Sequence, residues 1–525
     1  MQTPKPEFMI ATILVPIDFS DGSRGALRYA TSLAQTFRAK VIIFTWENPY
    51  AAITGWDPSA GYPTGEGRLH LPPDNQFHQV STGGGYNLTD RTRVTADLAL
   101  GRMIQDQEFL PYTVNPVLAA SVTQPLPRNS LDGWIDTTLL NVRVASRPTP
   151  KLSVNAGYRY DDRANKTPRD EYVYIGGDSQ TQDTSVASSR RRFNEPYSYQ
   201  EHQMKLDAGY RFFRRMDLTA GVERKETERT YSEREDATED TYRLGLKTRL
   251  MEKIDTGVRL SRADRRGSTY RGDEPFLSSY DPGYTSTVPG SWENHPDLRK
   301  YFLADRRRDI VAVFATLAPS DTWTVGVNGS YLVDDYERSE MGLTGSTIKN
   351  YTVDAGYLPT DTITTYAFYA YENLRSEQDG RQFSGGGIKL VQAADPTRDW
   401  FADHRDRVDT VGAGVTTVIA DRLDLGADYV YARSKSAVNV TAGSALTTVP
   451  LPASITRLNS LAVHGTYRLR RDLSLKVRYR MEKFTATDWA VENVEPDTLA
   501  NVVTLGEENP DDTVHVVAIS FAYRF

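Results

Sequence analysis

The chain alternates apolar and polar residues over stretches of about ten residues, and this pattern recurs from about residue 76 to its end. In the segment 151–160, for example, Leu152 and Val154 fall on one side of an extended chain and Ser153 falls on the other. A period of two residues is typical of a β-strand. Stretches of about 10 to 15 residues are long enough to cross a bilayer at a tilt, with lipid covering the apolar side. The sequence therefore predicts an all-β fold, a large transmembrane antiparallel β-barrel.

The composition fits this class of membrane protein. Of the 525 residues, 39% are hydrophobic and 25% are charged, and no apolar run approaches the length of a membrane-spanning helix. The mean hydropathy of −0.52 is compatible with a barrel, because half of each strand faces a polar lumen. The 30 tyrosines suit the aromatic girdles at the two membrane interfaces. Because the chain has no cysteine, it has no disulfide, thiolate metal site or covalent haem attachment, and any haem must belong to a partner.

Short and long connections alternate along the barrel segment, which predicts its orientation. Outer-membrane barrels have short periplasmic turns and long external loops, so the end with the short turns is expected to be periplasmic. Counted in this way, about 17 strands are present, and the first begins on the outer side. Bacterial single-chain barrels have an even number of strands, so we expect a larger barrel that is truncated at its N-terminus. The eight short connections lie at 87–92, 147–151, 213–217, 251–254, 319–322, 359–362, 420–423 and 470–472.

The first 49 residues have a different pattern. An apolar run at 11–17, a helical pattern at 21–38 and a second apolar run at 40–46 predict a βαβ fragment with parallel strands. The segment VPIDFSDGSRGALRYATSLAQTFRAKVIIF resembles the start of the universal stress protein family, over about residues 8–49. The resemblance implies that Asp18 lies near a bound adenine nucleotide, although no segment here matches that family's glycine-rich phosphate-binding loop.

A segment rich in glycine and proline, residues 50–75, reads as a linker between this fragment and the barrel at 76–525. No basic region followed by an apolar core and a cleavage site precedes either part, so a signal peptide is not expected. We therefore interpret the chain as a fusion of two unrelated fragments.

Two motifs carry a more specific resemblance in the barrel segment. RRRFNEPYSY at 190–199, which leads into QEHQMKLDAGYRF, and the ending NVVTLGEENPDDTVHVVAISFAYRF resemble the MtrB/PioB family of decahaem-associated outer-membrane proteins. The resemblance covers about residues 76–525. It implies a barrel in the bacterial outer membrane that sheathes a periplasmic multihaem c-type cytochrome, so that electrons cross the membrane. From the residues themselves we expect no enzymatic activity, no covalently bound cofactor and no nucleic-acid partner. Some members of the family carry a CxxC motif near the N-terminus, which this chain lacks.

Charged residues occupy the polar positions of several strands and are the candidates for lumen or partner contact. If Tyr158, Tyr210, Tyr429 and Tyr479 face lipid, the alternating charged residues face the lumen. Their mixed signs would suit a hydrated protein interface, or would simply solvate a water-filled lumen. The candidates are Arg159, Lys205, Asp207, Arg211, Asp424, Asp428, Lys476 and Arg478.

The last strand carries Phe521, Tyr523 and Phe525 on one face. Such an ending resembles the signal that is read by the outer-membrane assembly machinery, which is therefore an expected partner together with outer-membrane lipid. The alternative is an ordinary final strand.

Other residue patterns do not define a site. The seven histidines are scattered without metal-ligand spacing, and no nucleophile, base and orienting group can be assembled. Three functions remain open: the sheath of an electron conduit, a diffusion porin, and a nucleotide-binding stress protein supported by the first fifty residues only.

Overall fold

The structure is a computed structural model, and it describes most of the barrel segment together with two short strands before it. The described residues are 12–17, 40–45, 72–113, 116–175, 181–213, 215–286, 290, 292, 294–384, 388–420, 422–492, 494 and 509–523.

Two strands near the N-terminus, β1 (Thr12–Ile17) and β2 (Lys40–Thr45), form a parallel pair. Thr12 lies opposite Lys40, and the register continues without a break to the other end of both strands. This pairing is the parallel arrangement that the apolar runs predict. The predicted helix at 21–38 and the nucleotide-site candidate Asp18 lie outside the described residues.

The remaining strands follow in chain order and are long where they cross the barrel wall. They are β3 (Gln76–Thr89), β4 (Thr92–Gln105), β5 (Gly133–Thr149), β6 (Leu152–Asn165), β7 (Glu171–Val173), β8 (Arg191–Phe193), β9 (Tyr199–Phe213), β10 (Met216–Arg229), β11 (Asp236–Met251), β12 (Ile254–Gly267), β13 (Leu298–Arg299), β14 (Arg306–Ser320), β15 (Trp323–Asp335), β16 (Met341–Thr360), β17 (Ile363–Arg381), β18 (Asp399–Ile419), β19 (Leu423–Ala442), β20 (Ser454–Arg468), β21 (Leu473–Thr487) and β22 (Asp511–Tyr523).

Helical structure in the described residues is confined to short turns in the long loops. The α-helical segments are Pro116–Ala119, Glu274–Leu277 and Ile388–Ala393, and a 3-10 turn covers Pro396–Arg398. None of these helices is long and apolar enough to cross a membrane.

Seventeen of the strands build one antiparallel barrel wall, which confirms the predicted fold class. Each strand from β3 to β22 pairs with the next one along the chain, except that β7 and β8 form a separate hairpin and β13 pairs with the start of β16. All eight predicted short connections coincide with the gaps between paired strands. The long loops lie at the other end, which is the external end by the rule for outer-membrane barrels.

The junction between the first and last strands of the wall differs from the other junctions. The strand order returns on itself as a closed barrel, with β22 next to β3. With seventeen antiparallel strands in sequence, these two run in the same direction. Among the described residues they share no continuous residue-by-residue register, and both are exposed along their whole length. This junction is therefore the least packed part of the described wall.

The register divides the wall into two faces, because residues opposite each other on neighbouring strands point to the same side. Val327 of β15 lies opposite Ala315 and Val353, whereas its neighbour Asn328 lies opposite Phe314 and Thr352. Two concavities of about 610 and 530 Å³ open on the face of Asn328, which carries most of the charged residues. The polar face is therefore the concave, lumen side, and the face of Val327 points outward to lipid.

We predict opposite effects of the same substitution at these two neighbouring positions. Val327 lies four residues from the start of β15 at a short turn, or about 10 Å above the turn at typical strand rise and tilt, near the middle of the apolar band. Val327→Arg should lower the free energy of unfolding by about 2 to 4 kcal/mol, because it places a charge in hydrocarbon.

The matched control is Asn328→Arg, which adds the same side chain to the wet lumen and should change stability by less than about 1 kcal/mol. Urea unfolding in phospholipid vesicles, followed by tryptophan fluorescence, measures both values. Equal losses in the two variants would contradict the assignment of the faces.

Candidate functional site

The structure places all eight predicted lumen candidates on the polar, concave face. Arg159 lies opposite Gln203, and Lys205 lies opposite Glu223. Following the register from strand to strand around the wall gives the same face for the candidates on β19 and β21. Whether any of them contacts a partner stays a prediction. The eight are Arg159, Lys205, Asp207, Arg211, Asp424, Asp428, Lys476 and Arg478.

Two of the candidates belong to a connected group of charges on β9, β10 and β11. Arg243 lies 2.8 Å from the Glu223 carboxylate and 3.5 Å from that of Asp207, and Lys205 lies 3.4 Å from Asp207. The Gln203 amide donates a hydrogen bond of 2.6 Å to Glu223. Partly exposed ion pairs of this kind contribute little to stability, typically about 0 to 1 kcal/mol each. Their chemical consequence is a lumen wall with closely spaced charges of both signs.

Two further candidates form local ion pairs on the same face. Arg159 lies 2.6 Å from Asp161 two residues along β6, and Arg211 lies 2.8 Å from Asp217 across the short turn between β9 and β10. Arg159 lines the same concavity as Lys205 and Asp207. The structure thus brings these three predicted residues together, and Arg211 lies nearer the periplasmic end of the wall.

The other four candidates lie on a different part of the wall, on β19 and β21. Asp428 accepts a hydrogen bond of 2.7 Å from the Tyr366 hydroxyl. Lys476 and Arg478 have no carboxylate within 4 Å among the described residues, and they stand opposite Thr466 and His464. This side of the lumen therefore presents cations without partners in the described wall.

Glu223 and Arg243 are lumen residues that the sequence-based selection missed. Both occupy polar positions of strands with the same alternation, so extending the pattern to β10 and β11 would have found them.

An aliphatic row on the lumen face was also missed, because its residues have the type that is expected on the lipid face. Ile310, Leu332, Ile348 and Leu374 lie directly opposite one another on four neighbouring strands, in the same register that aligns the polar residues. Leu374 is 36% exposed. We call these four residues the lumen aliphatic row. Apolar side chains in a polar lumen are ordinarily costly to leave in water.

The long external loops pack on one another and hold most of the buried side chains in the described part of the chain. Leu303 is 2% exposed, and its carbonyl oxygen accepts a hydrogen bond of 2.8 Å from Arg234. The same guanidinium lies 2.7 Å from the carboxylate of Asp305, and both side chains are less than 10% exposed. Lys300 pairs with the buried carboxylate of Glu233. These contacts hold the C-terminal part of the loop at 268–305 against the connection between β10 and β11.

The same loop contacts the loops on either side of it. Arg192 stacks over the Tyr280 ring at 3.4 Å, and Trp292 meets Phe383 edge to face at 5.1 Å. Burial raises the pKa of the Glu195 carboxyl, which accepts a hydrogen bond from the Ser278 hydroxyl. We refer to these packed loops as the external cap.

No group of three or more metal-binding side chains occurs in the described part of the chain. Two of the histidines, His202 and His515, instead share hydrogen bonds of 2.9 Å with the hydroxyls of Tyr158 and Tyr479.

Taken together, the wall, its two faces and the cap define a class of protein, an outer-membrane β-barrel with a charged lumen. The family model for outer membrane beta-barrel porins of the MtrB/PioB type matches residues 22–525. The chain belongs to the MtrB/PioB family and is a protein of the outer membrane. The match begins inside the segment that resembles a universal stress protein, and the comparisons give that resemblance and the inferred fusion no support.

A named relative is outer membrane protein MtrB of Shewanella baltica (strain OS185), which is 29% identical over 474 residues. The aligned region covers 90% of this chain and 61% of the relative, so the chain spans less than two thirds of that protein. Among solved structures, the FrpB iron transporter from Neisseria meningitidis aligns with 86% of this chain and 66% of its own, at 12% identity and a TM-score of 0.45. The copper transporter OprC aligns with 86% of this chain and 71% of its own, at 10% identity and a TM-score of 0.41.

We predict that the external cap depends on the buried pair of Arg234 and Asp305. Asp305→Ala should destabilise the cap by about 3 to 5 kcal/mol, because it leaves the guanidinium of Arg234 buried without a counter-charge. Hydrogen exchange and limited trypsin digestion of the loop at 268–305 measure this opening. Arg338→Ala is the control, since Arg338 also lies 3.3 Å from Asp305 but is 75% exposed. If both variants exchange like the parent protein, the pair does not hold the cap.

We also predict that the last strand guides assembly. Phe521 and Tyr523 lie on the outward face and are 68% and 51% exposed, and Phe525 lies outside the described residues. Deleting Phe525 should slow insertion severalfold when the barrel is supplied with an export signal. Heat-modifiable migration on gels measures the folded fraction over time. Insertion at the parent rate would favour the reading of an ordinary final strand.

Proposed function

We propose that this chain forms the wall of an electron conduit, in which the barrel sheathes a periplasmic multihaem c-type cytochrome across the outer membrane. The role of the chain is structural rather than catalytic. Thioether attachment of haem requires cysteine, so the haem groups would belong to the cytochrome. The barrel would keep lipid away from the charged cytochrome.

The observation that carries this proposal is the mixed character of the lumen face. Around Arg243, positive and negative side chains alternate with neutral ones. The lumen aliphatic row crosses four neighbouring strands on the same face of the wall. Complementary charges fix the register of a protein interface, and apolar groups add area that a partner can cover. Barrels of 16 to 18 strands enclose an aqueous channel, which leaves space for a protein segment.

A diffusion porin is the second candidate function. The unpartnered cations Lys476 and Arg478 and the two open concavities on the lumen face favour it, since water-filled pores are lined with solvated charges. The two functions differ in what fills the lumen, which makes them separable by experiment.

The test is purification of the full chain from its native membranes in mild detergent. A sheath should retain a multihaem cytochrome and show its Soret absorbance, and it should conduct few ions in a planar bilayer while the cytochrome is bound. A barrel that purifies without haem and conducts ions in a planar bilayer would refute the sheath and support the porin.

A charge reversal on the lumen face gives a quantitative prediction. Arg243→Glu should reduce cytochrome retention about tenfold at physiological salt, because it replaces an attraction by a repulsion at the interface. The control is Arg224→Glu, one residue from Glu223 on β10, whose side chain points outward and pairs with Asp240. Retention is measured as haem absorbance per barrel, with heat-modifiable migration as the check on folding. Equal losses in both variants would argue against a charged lumen interface.

A further inference from the structure

Two arginines face each other on the outward side of the wall. Arg433 of β19 lies directly opposite Arg457 of β20, and both side chains share the face of Tyr431 and Val411. Lys435 lies two residues further along the same face. Like charges directly opposite on neighbouring strands destabilise a sheet unless something offsets them. We call Arg433, Lys435 and Arg457 the outward cation cluster.

The other outward-facing arginines of the described wall are paired with carboxylates, whereas the outward-facing Lys349 lies over the Tyr331 ring, 5.6 Å from its centre. Arg224 lies 3.0 Å from Asp240, and Arg307 lies 3.2 Å from Asp335. Arg405 lies 2.6 Å from Asp403. The outward cation cluster thus differs from charges that neutralise one another within the wall.

The cluster itself has no such partner among the described residues. All three side chains are exposed, and none lies within 4 Å of a carboxylate in the described wall. The carboxylate across from Arg433 is that of Asp409, which attracts Arg433 but forms its close contacts with Arg407, at 2.9 Å, and with the Tyr369 hydroxyl, at 2.6 Å. Asp409 therefore offsets the charge of Arg433 only in part, and the cluster keeps positive charge for an external anion.

The height of the cluster places it at the outer headgroup level. Arg433 lies ten residues beyond Leu423, where β19 leaves its short turn. At a rise of about 3.3 Å per residue and a tilt of about 40°, this is about 25 Å above the turn. The apolar band of such barrels is about 25 Å tall. Below the cluster, the outward face presents Tyr429 and Val463, which are 45% and 41% exposed and suit acyl chains.

We propose that the outward cation cluster binds a phosphoryl group on the headgroup of an outer-leaflet glycolipid. Arginine pairs with phosphate through two parallel hydrogen bonds, and two opposed guanidiniums can hold one phosphate between them. A bound phosphate removes the repulsion that the register imposes. Lipid is the occupant because the cluster continues directly into the lipid-covered face. The site lies on the opposite side of the wall from the lumen, so it does not depend on the proposed conduit.

The test uses the full-length barrel in nanodiscs of phosphatidylcholine with added lipid A, either doubly phosphorylated or fully dephosphorylated. Lipid A that remains bound after detergent washing is counted by mass spectrometry. The parent protein should retain about tenfold more of the phosphorylated form. The double variant Arg433→Gln/Arg457→Gln should lose that preference, and the control Arg307→Gln should keep it.

Thermal unfolding supplies a second measurement that does not depend on lipid recovery. Without lipid A, the double variant should unfold at or above the temperature of the parent protein, because two opposed charges are gone. With phosphorylated lipid A, only the parent protein and Arg307→Gln should gain stability.

Four results would overturn the proposal. They are full retention by the double variant, an equal loss in Arg307→Gln, equal retention of dephosphorylated lipid A, and the same gain in stability from inorganic phosphate alone.

Discussion

The pairing of backbone hydrogen-bonding groups is the constraint on which this structure depends. In hydrocarbon, an unpaired peptide group costs several kcal/mol, so a strand can cross the membrane only beside two others. The wall from β3 to β22 meets this requirement with continuous antiparallel ladders. The junction between β22 and β3 is the exception in the described wall, because the two strands run in the same direction and share no continuous register. Closure there depends on the most exposed strands of the barrel.

The side chains of each strand alternate strictly between the two sides of the wall, so each strand contributes to a lipid-facing surface and to a lumen-facing surface. A single register aligns Val327 with lipid-facing residues and Asn328 with lumen residues, so each strand serves both surfaces at once. A shift of one residue would exchange the two faces along the whole strand. The charges around Arg243 and the outward cation cluster are both consequences of this register, although they face opposite sides of the wall.

The parts that sequence could predict are those that depend on neighbouring residues. Alternation and turn composition predicted the strand class and all eight short connections, because a strand period and a tight turn are encoded within a few residues. The external cap could not be predicted, since Arg234 and Asp305 are 71 residues apart and meet only after the loops fold together. The lumen aliphatic row was missed for a different reason. Ile310 and Leu332 have the residue type of the lipid face, and only the register shows that they face inward.

The repulsion between Arg433 and Arg457 could not be predicted from the sequence either. Each arginine is unremarkable in its own strand, and the repulsion arises only from the alignment of β19 with β20. The described wall pairs its other outward-facing arginines with a carboxylate, as at Arg224 and Asp240. A sheet has little freedom to move one such residue without moving its whole strand, so the charge that Asp409 leaves uncompensated is open to an anion from outside the chain. At the height of Arg433, the surroundings outside the chain are the headgroups of the outer leaflet.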